Sequence, residues 1–307
     1  STPSNSSAAS DVYKRQEDGD PIYTVTVIDE QPKGSVHLTK TVDDLDTDTD
    51  LVDRSDLSKI QFVLKAKDDI YSPVDGSLMF AKDEKITTEN SGAVVNVGTE
   101  IGKGIYALSK DGQLDISNLP MGTGEAKYYF EEVKTLDGCV LDETKHAFTF
   151  KQKDFTTKNY SKELNVENKT THFNFNKTDV TGDKEVEGAQ LTITDEKGNV
   201  IDHWISTDMP HSIEGLVVGK TYTLSETVSA KDYVKASDIR FTVKNSSELE
   251  TVTMKDKQVS FTKTDVTGEK EVEGATITVK EKETGKVIDE WTSTKESHFI
   301  NGLEEGK

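Results

Sequence analysis

A single cysteine, Cys139, stands in 307 residues, so no disulfide ties one part of this chain to another. Set in a strand-like run, a lone thiol reads as a small apolar filler. Prolines number six and tryptophans two, and aromatics make up 7% of the chain. No run of about 18 apolar residues occurs, which excludes a membrane-spanning helix. Positive charge is short as well: 37 Lys and Arg face 57 Asp and Glu, a formal net charge of −20. Such a surface repels nucleic acid and anionic lipid, so polyanion binding is excluded as a function. His211 and His298 lack a Cys, a Ser-His-Asp arrangement or a second histidine beside them. They read as structural turn or edge residues, and neither a cofactor nor a metal is expected.

What the chain does have is Thr, Val, Asp and Lys in short alternating runs divided by Gly-containing turns. This is the pattern of an all-β protein, and the turn spacing predicts tandem β-sandwich domains. A turn of helix is expected only within Leu57 to Leu64. Residues Ser6 to Gln16, SSAASDVYKRQ, resemble the in-frame translation of a sequencing adapter, so residues 1–16 are set aside as disordered and extraneous to the fold. The chain is then expected to be a fragment.

Self-similarity organises the rest. KTDVTGDKEVEGA at Lys177 to Ala189 returns as KTDVTGEKEVEGA at Lys263 to Ala275, with one Asp-to-Glu difference. The match continues through Val200 to Trp204 and Val287 to Trp291, and then through His211 and His298. One repeat therefore covers residues 171–257, and a truncated one covers 258–307. Residues 34–170 read as an enlarged relative with a longer interior. Residues 17–33 read as the last strand of a preceding repeat, because Val25 to Gln31 parallels Val252 to Gln258.

Strand phase exposes an anomaly in each whole unit. Alternation places Phe173, Phe175 and Lys177 on one face, as it does Tyr222, Leu224 and Glu226, and again Val252, Met254 and Asp256. In the enlarged unit the same phase groups Val36, Leu38 and Lys40, then Tyr128, Phe130 and Glu132, then Leu164, Val166 and Asn168. A lysine, a glutamate and an acid or amide thus aim at one core, where unpaired charge is costly. A structural salt bridge, or a phase wrong by one residue, would account for a single such trio. Agreement across six strands of two dissimilar units favours a common purpose.

Desolvation favours the neutral forms of amines and carboxyls. A neutral lysine is a nucleophile, and a protonated glutamate can polarise the acceptor and shuttle protons. The expected product is an amide, Lys177–Asp256 with loss of water and Lys40–Asn168 with loss of ammonia, assisted by Glu226 and Glu132. Closing a loop of about 80 residues in this way is worth roughly 4 to 5 kcal/mol.

The run of Phe175-Asn-Lys177-Thr-Asp, Tyr222-Thr-Leu-Ser-Glu226-Thr and Val252-Thr-Met-Lys-Asp256 resembles the collagen-adhesin B-type (Cna B) and SpaA-type pilin domains of Gram-positive surface proteins. The resemblance covers residue 22 to the end. It implies Ig-like, prealbumin-like sandwiches whose first and last strands lie side by side and which form autocatalytic isopeptide bonds. By it, Lys177, Glu226 and Asp256 match the family lysine, catalytic glutamate and acceptor, as do Lys40, Glu132 and Asn168. Lys263 and Asp29 are equivalents without partners. Two departures stand near the glutamates: Ala230-Lys231 where the family has Ala-Pro, and Cys139 where an aromatic is common.

The resemblance further implies a cell-wall-anchored stalk or pilin segment outside a Gram-positive cell, with neighbouring repeats as partners and single-turnover self-crosslinking in place of enzyme catalysis. Two other readings stay open. One is a ligand-binding domain for host matrix or glycan in residues 34–169, with the insertion from Asp43 to Gly112 as its candidate. The other is a set of accessory modules of a secreted enzyme. Asp44, Asp46, Asp48 and Asp50 alternate, yet a calcium loop starting at Asp46 would need Gly at Leu51 and Glu at Leu57, so a solvated acidic loop is expected. The sequons at Asn159, Asn168 and Asn176 are commonplace in a Thr-rich chain.

Overall fold

The computed structural model of the protein describes residues 31–154, 156–300 and 303, and the backbone of residues 9–15 and 21–27. In chain order its strands are β1 (Ala9–Arg15), β2 (Pro21–Val27), β3 (Lys33–Val42), β4 (Thr49–Asp50), β5 (Gln61–Ala66), β6 (Ile70–Tyr71), β7 (Leu78–Phe80), β8 (Val94–Val97), β9 (Thr99–Gly102), β10 (Ile105–Ala107), β11 (Gln113–Pro120), β12 (Glu125–Lys134), β13 (His146–Lys151) and β14 (Asn159–Asn168). They continue as β15 (His172–Asp179), β16 (Gln190–Asp195), β17 (Val200–Ile205), β18 (His211–Glu214), β19 (Thr221–Val228), β20 (Ile239–Thr242), β21 (Leu249–Asp256), β22 (Ser260–Phe261), β23 (Thr276–Lys280), β24 (Val287–Thr292) and β25 (His298–Phe299). The expected helical turn is a 3-10 segment, Leu57–Lys59, capped by the Asp56 carboxylate and ended at Ile60. A four-residue helix, α1 (Thr88–Ser91), opens on a reciprocal Thr87/Asn90 capping box.

β1 and β2 pair as an antiparallel hairpin, so part of the stretch expected to be disordered has strand geometry. Asp29 lies outside the described residues.

The chain divides into two compact units. The first comprises residues 1–44 and 52–169; the second comprises 45–51 and 170–307. In the first unit one sheet runs β14-β3-β11-β8 and another runs β13-β12-β5-β10-β9. Their inner faces share one core, to which Val36 and Leu38 come from the first sheet and Phe62, Leu64, Tyr128, Phe130 and Phe148 from the second. β3 shows why: its residues alternate half-buried and buried from Lys33 to Lys40, as a strand with one face on a core must. Gly34 is required there, since a Cβ at that position would meet the Phe150 ring at 2.4 Å.

In the second unit the sheets run β21-β15-β18-β4 and β17-β16-β19-β20. Phe173, Phe175, Ile213 and Met254 meet Leu191, Ile193, Tyr222 and Leu224 between them. Both units share one topological feature. The strand that opens each sandwich pairs in parallel with the strand that closes it, β3 with β14 and β15 with β21. The other ladders within these four sheets are antiparallel, apart from the short β18–β4 pair.

The acidic run departs from the solvated loop expected of it. Asp44, Asp46, Asp48 and Asp50 are exposed, but residues 45–51 belong to the second unit, where β4 adds a parallel edge strand to β18. The Ser212 N–H donates to Asp48 Oδ2 at 2.7 Å, the Asp48 N–H donates to Ser212 Oγ at 2.9 Å, and Thr49 Oγ1 donates to Asp202 Oδ2 at 2.8 Å. A short, negatively charged edge discourages further strand addition. His211 stacks on Trp204 at 4.2 Å and sits 2.8 Å from Asp202; His298 repeats this on Trp291 and Asp289.

Candidate functional site

Each core contains a set of ionisable or amide side chains withdrawn from water. Lys40, Glu132 and Asn168 are 1%, 3% and 1% exposed, and Lys177, Glu226 and Asp256 are each 1% exposed. The alternation that aims them inward is local, but their meeting is a consequence of register. Lys40 faces Val166 across the parallel ladder and Asn168 faces Val42; Lys177 faces Met254 and Asp256 faces Asp179. The acceptor therefore lies two residues beyond the lysine on the same face, a step of about 6.6 Å. An extended lysine stem spans that distance. The glutamate arrives from the facing sheet, on β12 or β19.

In the first set the Lys40 ammonium donates to Asn168 Oδ1 at 2.5 Å and stands 3.8 Å from Glu132 Oε2. Asn168 Nδ2 donates to Glu132 Oε1 at 2.7 Å and to Thr135 Oγ1 at 2.5 Å, while the Asp142 N–H donates to Glu132 Oε2 at 2.9 Å. The Phe62 ring lies 5.4 Å below the lysine nitrogen. Burial pulls Lys40 below its ordinary value, against the opposing charge of Glu132, and lifts Glu132 above its own, against Lys40. Both shifts favour the neutral pair.

In the second set Lys177 Nζ hydrogen-bonds Asp256 Oδ1 and lies 3.1 Å from Glu226 Oε1. The Ala236 N–H donates to Glu226 Oε2 at 2.6 Å. Glu226 Oε1 and Asp256 Oδ2 are buried without a hydrogen-bond partner among the described residues. One proton held between two such oxygens would satisfy both. Burial raises Asp256 to about 6, opposed by Lys177 and reinforced by Glu226.

Three participants escaped sequence reasoning. The amides of Asp142 and Ala236 each follow their glutamate by ten residues, so the equal spacing was available as a signal. The hydroxyl of Thr135 carried none. Of the two departures noted in the sequence, Lys231 is exposed and Cys139 is packed inside. Cys139 is buried in the first core, its thiol pushed up to about 12 by burial, and Ala230 packs with Val186 and Ala189. Lys263 is exposed, and its carbonyl accepts from the Val272 N–H. Asn168, a sequon asparagine, is buried as the first acceptor.

A family model described as the SpaA prealbumin-like fold domain matches residues 46–164 and again residues 171–258. The chain belongs to this family. The second SpaA match contains Lys177, Glu226 and Asp256; the first contains Glu132 and stops short of Lys40 and Asn168. Comparison with curated proteins returns no match. Among solved structures, the Bacillus anthracis TIE protein is 18% identical over 95% of this chain with a TM-score of 0.36, and the chain spans 50% of that protein's length. The shaft pilin SpaA of Lactobacillus rhamnosus GG is 17% identical, with 75% of this chain and 99% of that one covered and a TM-score of 0.30. A C-terminal fragment of the pilus adhesin SpaC from the same organism is 13% identical over 74% of this chain and 98% of its own, with a TM-score of 0.37. No helix among the described residues is long and apolar enough to cross a membrane.

Proposed function

We propose that the chain is a segment of a cell-surface stalk or pilin of a Gram-positive bacterium, built of SpaA-type domains that each lock themselves with one isopeptide bond. The domains are residues 34–170 and 171–257, followed by the start of a further copy at 258–307. The observation that carries this reading is the buried contact between a lysine amine and an acceptor side chain across the parallel first and last strands, present in both units.

The chemistry balances without a cofactor. Lys40 passes a proton to Glu132, and the free amine attacks Asn168 Cγ. Glu132 delivers a proton to Nδ2 and takes one from the attacking nitrogen. Ammonia leaves with the electron pair of the Cγ–Nδ2 bond, and Glu132 keeps one proton. At the second site the leaving group is water, formed from an Asp256 oxygen and two protons. Each set reacts once, so the protein is its own substrate and turns over nothing. Burial provides the drive, because an uncharged amide replaces a desolvated ion pair.

The bonds close loops whose ends lie 128 and 79 residues apart. Chain entropy values these closures at about 5 and about 4.5 kcal/mol. Tension applied along the first and last strands would load the covalent bond in place of the ladder. Partners are then the neighbouring repeats of the same chain.

Intact-mass measurement tests the reading. The full chain is expected to be lighter than its sequence by one ammonia and one water, with Glu132→Ala restoring the ammonia and Glu226→Ala restoring the water. An unmodified mass for the unsubstituted chain would overturn it.

A further inference from the structure

The two sites differ in how the departing group is held, and this difference deepens the crosslinking reading on which it rests. An amide nitrogen only donates and an amide oxygen only accepts. Asn168 Nδ2 has two hydrogens, given to Glu132 Oε1 at 2.7 Å and to Thr135 Oγ1 at 2.5 Å. With both hydrogens engaged, the carboxamide has one orientation, and its oxygen points at Lys40. The glutamate alone would leave one hydrogen of a buried amide unpaired, which is unfavourable.

We propose that Thr135 holds the leaving group of the Lys40–Asn168 condensation. As acceptor it keeps the amide plane turned so that Cγ faces the amine. When Glu132 protonates Nδ2 the nitrogen becomes a departing ammonia, and Thr135 Oγ1 remains its acceptor as the Cγ–Nδ2 bond breaks. Thr135 is half-buried, whereas Asn168 and Glu132 are buried, so it stands on the solvent side of the leaving nitrogen. No proton or electron pair is required beyond those exchanged by Lys40, Glu132 and Asn168.

The second unit lacks this arrangement. Three residues after its glutamate stands Ser229, whose hydroxyl makes no hydrogen bond among the described residues. The acceptor there is a carboxyl, and its Oδ2 has no hydrogen-bond partner among the described residues. A carboxyl offers no N–H to orient, so the hydroxyl accompanies the amide acceptor and is absent from the acid one.

The test is a time course of intact mass for the full chain made by cell-free translation. Thr135→Val, which preserves shape, is expected to slow ammonia loss roughly tenfold, the worth of one hydrogen bond to the reacting group. Thr135→Ser is expected to retain the wild-type rate. Water loss at Lys177–Asp256 should be unchanged in both and reports folding within the same molecule. In an Asn168→Asp background, where no amide needs orienting, Thr135→Val should change the rate less than about twofold. Ammonia loss at the wild-type rate in Thr135→Val overturns the assignment, as does equal sensitivity in the Asn168→Asp chain. Failure of the crosslinking reading looks different: the unsubstituted chain would lose neither ammonia nor water.

Discussion

The first and second units place a lysine, a glutamate and an acceptor at corresponding points of the same sandwich, yet they differ in acceptor chemistry and in what surrounds it. In the first unit every polar hydrogen of the acceptor amide is engaged, and the lysine stands closer to the acceptor than to the glutamate. In the second, the lysine touches both carboxyls, and among the described residues Asp256 Oδ2 has no hydrogen-bond partner while Glu226 Oε1 meets only the lysine's charge. An amide can be fully satisfied before reaction, whereas two adjacent carboxyls cannot be unless they share a proton. One topology thus sets two different acceptor groups, an amide and a carboxyl, beside a buried lysine, each with its own hydrogen bonding.

The largest test of this comparison removes one nucleophile. Lys40→Met should abolish ammonia loss, leave water loss intact, and lower the stability of the first unit by the value of its crosslink, about 5 kcal/mol. Denaturant unfolding followed by limited proteolysis would resolve the units. An equal fall in the second unit would break the idea that the sites act independently.

A smaller effect concerns pH. Asp256 must be neutral to lose water, and its carboxyl is raised to about 6, whereas Asn168 does not titrate. The ratio of water loss to ammonia loss, read from one mass spectrum, should therefore fall as pH rises through about 6. The sign for stability agrees. A carboxyl raised in the folded state contributes its full stability below the ordinary carboxylate range and progressively loses it as pH climbs toward the folded value. A chain held unreacted at this site should be more stable at mildly acidic pH than at neutrality.

The smallest effect belongs to the edge strand that only the second unit has. Asp48→Ala removes the acceptor of the Ser212 N–H and hydroxyl, at a cost of about 1 kcal/mol for an exposed site. Hydrogen exchange at Ser212 should quicken while the amides of β3 stay protected. Asp48 is held below its ordinary value chiefly by the Ser212 N–H, so this contribution is present at neutral pH and is lost as pH falls through the folded value.

Much of this was legible in the chain itself. Period-two alternation is a local property of a strand, so the inward phase of Lys40, Glu132, Asn168, Lys177, Glu226 and Asp256 could be read residue by residue, and the buried side chains follow it. The repeat likewise marked Trp204 and His211 as equivalents of Trp291 and His298, but that each pair stacks came from the fold. Thr135 gave no sign, because a threonine just beyond a strand end is ordinary until the fold sets Asn168 beside it. The destination of residues 45–51 was hidden too, since pairing of Thr49 with Ile213 depends on contacts far away in the chain.

The sequence by itself thus determined which side chains enter each core, because side-chain direction needs only the pleat. The tertiary structure decided which of them meet. That rests on the parallel first-to-last pairing and its two-residue offset, which join residues as much as 128 positions apart and which no local pattern encodes.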